Sequence, residues 1–331
     1  MGRLDLFLGV DVGSVSVNLV LLDNNCNVVE KIYLRTQGRP IEVLSEGLER
    51  IHQLMPANSV VAGAGVTGSG RELAGAMINA DIVKNEITAH GIAVLQYIPE
   101  AQTILEIGGQ DSKLILLRNG VVSDFSMNTV CAAGTGSFLD RQAARLGIPI
   151  QDFGAMALKS NASVRIAGRC AVFAESDMIH KQQMGCRPED IIKGLCEALV
   201  RNYLNNVGKG KEILPVVVFQ GGVAANQGIK QSFEEALGQQ VVVPEHYDVM
   251  GAVGAGILAR KEVQKTGLTK FCGFDATSVE FSAKSFSCND CANMCEVAEL
   301  SNNGEITARW GDRCGKWSSS LKKKPDISFM A

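Results

Sequence analysis

Three short stretches of this chain place glycine beside groups that could handle phosphate: GVDVGS at 9–14, EIGGQD at 106–111 and FQGGVAANQGI at 219–229. Glycine turns expose successive backbone N–H groups, which cradle anionic oxygens without any cationic side chain. Asp11 closes the first apolar run and is suited to hold a hydrated magnesium ion, while Gly13 and Ser14 offer amides and a hydroxyl to phosphates. The second stretch repeats the pattern with Gly108, Gly109 and Asp111, and its Gln110 could orient a water at a γ-phosphate. Gly221 and Gly222 follow a strand and lead into a helix N-terminus, a seat for the adenosine and α-phosphate end of a nucleotide. One such turn is as well read as a plain β-turn; three in this order are specific.

Thiols supply a second chemistry. In NTVCAAGTGSFLD at 128–140, Cys131 stands three residues before a Gly134-Thr135-Gly136 turn that also looks made for phosphate. Cys170 precedes AVFAE in the same manner. Both are predicted at helix N-termini, where the macrodipole favours a thiolate and an anionic cluster bound to it. A 4Fe-4S cluster needs four thiolates, so two per chain would suffice if a two-fold homodimer brings the copies together. The alternative for each cysteine is that of a small buried hydrophobe. A third group, Cys288, Cys291 and Cys295 in CNDCANMC with Cys314 beyond, suits zinc or an iron-sulfur cluster, and spacing does not separate the two. Cys26, Cys186, Cys196 and Cys272, and the isolated His52, His90, His180 and His246, read as structural. Glu175 and Asp177 lie within one turn of the helix led by Cys170, where Glu175 fits a coupling role, a solvated face or a helix cap, and strand alternation puts Lys113 on the face away from the phosphates.

These groups need elements to hold them. Apolar runs at 6–12, 17–23 and 28–34 predict three strands, followed by a helix at 41–54, a strand at 59–67 and a helix at 81–95. The pattern returns with strands at 103–107, 114–118 and 121–126, and the 108–111 turn occupies the place that Gly13-Ser14 held. This internal β-β-β-α repeat predicts two homologous α/β lobes facing each other across a cleft. Mostly helical sequence over 132–194, strands at 215–219 and 241–244, and a small-residue helix at 251–263 complete the second copy. The texture then changes to Gly, Ser, Asn, Asp and Cys. The expected division is a first lobe at 1–100, a second at 101–264 whose last helix could return to the first, and a cysteine-rich extension at 265–331. The final SSSLKKKPDISFMA reads as a solvated terminus.

With 46% apolar and 20% charged residues in 331, the chain has the balance of a globular protein with real cores. A formal charge of −3 and no basic stripe argue against nucleic acid, and the lack of a long apolar run argues against a membrane span. The start lacks the regions of a signal peptide, which predicts a cytoplasmic protein whose ten cysteines are thiols or ligands rather than disulfides.

The motifs GVDVGS, EIGGQDSK, CAAGTGSFLD at 131–140, RCAVFAESD at 169–177, GGVAAN at 221–226 and GAVGAG at 251–256 resemble the actin, hexokinase and sugar-kinase superfamily. Within it, the resemblance is to the BadF/BadG/BcrA/BcrD-type ATPases: activators of 2-hydroxyacyl-CoA dehydratases and ATP-hydrolysing subunits of benzoyl-CoA reductase. It spans about Leu6 to Val263. It implies two ribonuclease-H-like lobes around ATP and Mg2+, and a homodimer sharing one 4Fe-4S cluster on cysteines matching Cys131 and Cys170. It also implies a ferredoxin or flavodoxin donor and delivery of low-potential electrons to a dehydratase-like or double-cubane partner. Asn18 stands where such activators carry Lys, Val15 where they carry Thr and Glu106 where Asp is commoner. The rival readings are a small-molecule kinase of the same superfamily and a nucleotide-sensing, metal-binding regulator.

Overall fold

A computed structural model of the protein describes residues 3–162, 164–274 and 280–320; the terminal segment read as solvated lies almost wholly outside them. The chain forms two compact units. The described residues of 1–13, 17–84 and 255–331 make the first, and those of 14–16 and 85–254 make the second.

The first unit is built on a five-stranded sheet of β1 (Leu4–Val12), β2 (Ser16–Leu22), β3 (Val28–Arg35), β4 (Ser59–Thr67) and β5 (Ile82–Val83), in the order β3-β2-β1-β4-β5. β2 runs antiparallel to β1, whereas β4 lies parallel to β1 and β5 parallel to β4. The helices α1 (Pro40–Leu54) and α2 (Arg71–Ile78) belong to this unit. Leu6, Leu8, Val10, Leu19 and Leu21 interlock with Leu44, Leu48 and Ile51 to form its core. These residues are completely or almost completely buried, the near-continuous apolar reading of a sheet covered on both faces.

The second unit repeats the plan. β6 (Thr103–Ile107), β7 (Ser112–Arg118), β8 (Val121–Asn128), β9 (Val217–Gln220) and β10 (Val241–Val242) lie in the order β10-β9-β6-β7-β8. The first three strands are antiparallel, and β9 and β10 are added in parallel. The expected repeat is therefore present strand for strand, and both sheets have the same order relative to their first strand. α3 (Glu86–Tyr97), α4 (Gly136–Leu146), α5 (Ile150–Ala157), α6 (Ala171–Gln183), α7 (Pro188–Asn206) and α8 (Gln227–Leu237) surround it. Tyr203, Phe219 and Phe233 meet edge to face at its centre, with ring centroids 5.2 and 5.3 Å apart.

Two expectations change. The helix predicted over 81–95 begins only at Glu86, because Asn85 caps it by accepting from Thr88 N at 2.9 Å. Ile82 and Val83 are instead a short fifth strand, and α2 has no counterpart in the predicted elements. The division between units falls within α9 (Met250–Thr266), after Gly254. The small residues of this helix allow close approach: a β-carbon on Gly65 of β4 would overlap the Ala255 carbonyl.

Beyond α9 lies a small antiparallel sheet of β11 (Phe281–Ser287), β12 (Glu296–Asn302) and β13 (Glu305–Trp310). Leu300 is fully buried in the core of the first unit, and Phe281, Ala308 and Trp310 pack against that core. Phe274 stacks on His52 of α1 at 4.3 Å, and Asp81 accepts from Thr269 Oγ1 and Lys270 N. The extension is thus built onto the first unit by apolar packing.

Candidate functional site

In the first unit, β1 ends at Val12 and Gly13 opens the turn to β2, with Asp11 paired in register with Asn18 of β2. The turn is fixed by Thr36 Oγ1, which donates to Gly13 O at 3.3 Å, and by Gly70 N, which donates to Val12 O at 2.8 Å. Gly68, at φ +97°, leaves space for the Asp11 carboxylate: a β-carbon there would come within 2.5 Å of Asp11 Oδ1. Asn18 is buried, its Oδ1 has no partner among the described residues, and it brings no charge to the turn.

In the second unit, the turn between β6 and β7 presents Gly108, Gly109, Gln110 and Asp111, with Gln110 exposed and Asp111 half-buried. Gly108 N donates to Asp111 O at 3.0 Å. Val15 packs on Gly109 so closely that a β-carbon at 109 would lie 2.5 Å from its Cγ2. The segment from Cys131 to Ser137 braces this turn from behind. Gly136 N and Ser137 N donate to the carbonyls of Gly108 and Gly109, each at 2.9 Å, while Gly134 N and Thr135 N donate to Cys131 O and Ala132 O. The Gly134-Thr135-Gly136 amides accordingly have protein partners, and the segment acts on the turn through its carbonyls.

Behind the turn sits a cluster of charged side chains. Lys113 is buried, and its Nζ lies 2.8 Å from Glu86 Oε2, 3.1 Å from Glu106 Oε2 and 2.9 Å from Asp111 Oδ2. Burial alone would lower Lys113, but the carboxylates of Glu106, Glu86 and Asp111 hold it above its ordinary value. Burial pushes Glu106 up to about 8 against the pull of Lys113. His90, also buried, is pushed down to about 4 by burial and by the charge of Lys113, so its neutral ring accepts from Gln220 Nε2 at 2.8 Å. Every residue from Ser112 to Leu117 is buried, so both faces of β7 are interior.

Gln220 is the last residue of β9, and Gly221 follows at φ +89°. A β-carbon on Gly221 would overlap the Ile107 carbonyl and lie 2.8 Å from Glu106 Oε1, so only glycine fits this turn. Gly222–Ala225 forms a short 3-10 turn, and Asn226 caps α8 by accepting from Ile229 N at 3.1 Å. Beside it opens a cavity of about 600 Å³, lined by Leu158, Ala224, Ala225, Gln227, Lys230 and Tyr247.

The two core cysteines lie on neighbouring loops of the second unit. Cys131 precedes the Ala132–Gly134 turn, and Cys170 is the N-cap residue of α6. Asn128 closes the first loop by accepting from Cys131 N and donating to Cys131 O, both at 2.9 Å. Cys131 Sγ lies 3.9 Å from the carbonyl oxygen of Arg169, the neighbour of Cys170, and accepts from Asn202 Nδ2 at 3.5 Å. Both thiols are partly exposed. Val130, Val172 and Phe173 beside them are 94%, 68% and 67% exposed. Glu175 pairs with Arg145 at 2.6 Å and Arg141 at 3.4 Å, and Asp177 accepts from Ala167 N at 2.8 Å.

The extension holds its cysteines differently. Cys288 and Cys295 close the loop between β11 and β12, where Cys288 N donates to Cys295 O at 2.8 Å. Cys288 is buried and bonded to Asp290, while Cys291 and Cys314 are exposed. Among the described residues, no three His, Cys, Asp or Glu side chains gather as a metal-ligand set. Among the four cysteines read as structural, Cys196 is wholly buried and its thiol is pushed up to about 12 by burial.

Two units with the same strand order, each offering a glycine turn after its first strand, define the actin- and hexokinase-like class of fold. The chain belongs to the BadF/BadG/BcrA/BcrD ATPase family, whose model matches residues 8–259. It is 34% identical to the (R)-2-hydroxyglutaryl-CoA dehydratase activating ATPase of Acidaminococcus fermentans, over 78% of this chain and 98% of that protein. The crystal structure of component A of that dehydratase superposes with a TM-score of 0.71 at 33% identity, covering 78% of this chain and 99% of the other. The activator of the 2-hydroxyisocaproyl-CoA dehydratase from Clostridium difficile, with bound ADPNP, superposes with a TM-score of 0.70 at 30% identity, covering 79% and 97%. No helix among the described residues is long and apolar enough to cross a membrane.

Proposed function

We propose that this ATPase is the electron-delivering activator of a partner dehydratase or reductase, and that two copies of the chain share one 4Fe-4S cluster on Cys131 and Cys170. The observation that carries the reading is that the Cys131 loop runs directly into the two amides that hold the carbonyls of Gly108 and Gly109. The donor set supports half of a cluster: two partly exposed thiols on adjacent loops, with an amide N–H on one sulfur. A second copy would supply the other two thiolates, and the exposed Val130, Val172 and Phe173 suit the contact that brings it there. The cluster, when bound, stores one low-potential electron, taken from a ferredoxin or flavodoxin and passed to an iron-sulfur enzyme acting on an acyl-CoA.

The chain's own residues carry the ATP half. Asp11 in the first unit and Asp111 in the second are each suited to hold magnesium, Gly13, Ser14, Gly108 and Gly109 would meet phosphates, and Gly221-Gly222 with the adjoining cavity would receive the nucleoside. Gln110, exposed at the tip of its turn, orients the attacking water, and the reaction rests on positioning and charge stabilisation rather than on a nucleophile. Loss of the γ-phosphate from the 108–111 turn shifts the carbonyls on which Gly136 N and Ser137 N sit, and so reaches the Cys131 loop. Anaerobic purification tests this reading: a brown protein whose ATP hydrolysis persists in Cys131→Ala while its iron is lost supports it. A colourless, iron-free protein that phosphorylates a sugar would overturn it in favour of a kinase.

A further inference from the structure

Asn202 of α7 is 2% exposed, and its amide sits between the two cysteine loops. One Nδ2 proton is directed to Gly168 O at 2.5 Å, two residues before Cys170; the other is directed to Cys131 Sγ at 3.5 Å. Its Oδ1 accepts from the exposed Asn206 one turn along α7, at 2.9 Å, which fixes the plane of the amide. Space has been left for it: a β-carbon on Gly134 would come within 2.7 Å of Asn202 Oδ1. The helix that carries it is anchored by its neighbours, since Tyr203 is fully buried and donates to Lys113 O at 2.7 Å, and Arg201 Nη2 donates to Ile166 O at 2.7 Å. A buried amide with both protons committed to two separate loops is not filling space; an apolar side chain of the same volume would cost less to bury there.

We infer that Asn202 is a positioning residue for the cluster half-site, tying the Cys131 and Cys170 loops at one spacing and donating to the Cys131 sulfur. The inference rests on the reading that these thiols ligate a cluster. Reduction adds negative charge that spreads onto the sulfurs, so an N–H aimed at a sulfur favours the reduced form and raises the potential. Removing it should shift the reduction equilibrium towards the oxidised cluster by roughly tenfold, the worth of one hydrogen bond to a charged group, or about 59 mV for one electron.

The experiment uses the full chain, anaerobically reconstituted, as Asn202→Leu, Asn202→Asp and Asn206→Ala beside the wild type. Asn202→Asp keeps the side-chain size and an acceptor for Asn206 while losing both donors; its charge lowers the potential by itself, so its bridging yield carries the test if the leucine variant does not fold. The first readout is the midpoint potential from a dye-mediated titration followed by electron paramagnetic resonance. The second is the yield of Cys131–Cys170 bridging by a short bis-maleimide in the apo protein. Expected are a more negative potential and several-fold less bridging in both Asn202 variants, with a smaller change of the same sign in Asn206→Ala, which releases the amide plane. Wild-type potential and bridging in a folded Asn202 variant would overturn the inference. Failure of the wild type itself to take up iron would instead overturn the reading on which it rests.

Discussion

Replacing Glu106 by Gln removes a single titrating group from behind the 108–111 turn, and its consequence follows from the environment of that carboxylate. Glu106 is held at about 8 against an ordinary 4.5, with burial as the main cause and Lys113 opposing it. Between those values the folded state holds a proton that the unfolded chain has released. The favourable contribution is therefore complete below about pH 4.5 and is lost as pH rises towards 8, at up to about 1.4 kcal/mol per pH unit. From about pH 5 to about pH 7.5 the wild type should lose up to roughly 3 kcal/mol through this group. Glutamine keeps the shape without titrating, and Lys113 retains Glu86 and Asp111 as partners. Urea unfolding of both proteins at several pH values across that window gives the difference directly. The variant should gain on the wild type steadily as pH rises, and parallel profiles would refute the assignment of a protonated Glu106 to the folded state.

Other expectations follow from single contacts. Gly221→Ala should destabilise the protein by about 1–3 kcal/mol in the same unfolding assay, because its positive φ and the Ile107 carbonyl both exclude a β-carbon. Leu300→Ala should cost about 2–5 kcal/mol, seen as a lowered unfolding midpoint, since this side chain seats the extension in the first core. Gln110→Ala should lower kcat for ATP hydrolysis by about 10²-fold or more with a much smaller change in KM, since positioning the water matters in the transition state. Cys196 should resist alkylation at about pH 8 in the native protein while exposed Cys291 and Cys314 react, as peptide mapping would show.

The repeated sheet was legible because its signals are local. The run Leu6–Val12 and its echo at Thr103–Ile107 are each followed by a glycine turn and a second apolar run, and β-strand pairing of that kind needs no distant information. The extension was harder to read. Val297 and Leu300 are both fully buried but three residues apart, hence on opposite faces of β12, and a register shift follows Leu300, so neither alternation nor a continuous apolar run marks the strand. The glycines and cysteines of the candidate site declare themselves by spacing, whereas the groups that surround them do not. Lys113 meets Glu86 from another element, His90 meets Gln220 across 130 positions, and Asn202 lies 71 positions from Cys131. Such contacts are created by folding, and no periodicity within α3 or α7 distinguishes them from ordinary buried helix positions.

The central claim is that Cys131 and Cys170 of two chains ligate one cluster. Iron per pair of chains, measured on anaerobically prepared wild type, Cys131→Ala and Cys170→Ala with nucleotide binding assayed on the same samples, tests it most directly. Each variant should lose about four iron per pair of chains relative to wild type while still binding ATP. Equal iron content in wild type and both variants would contradict it.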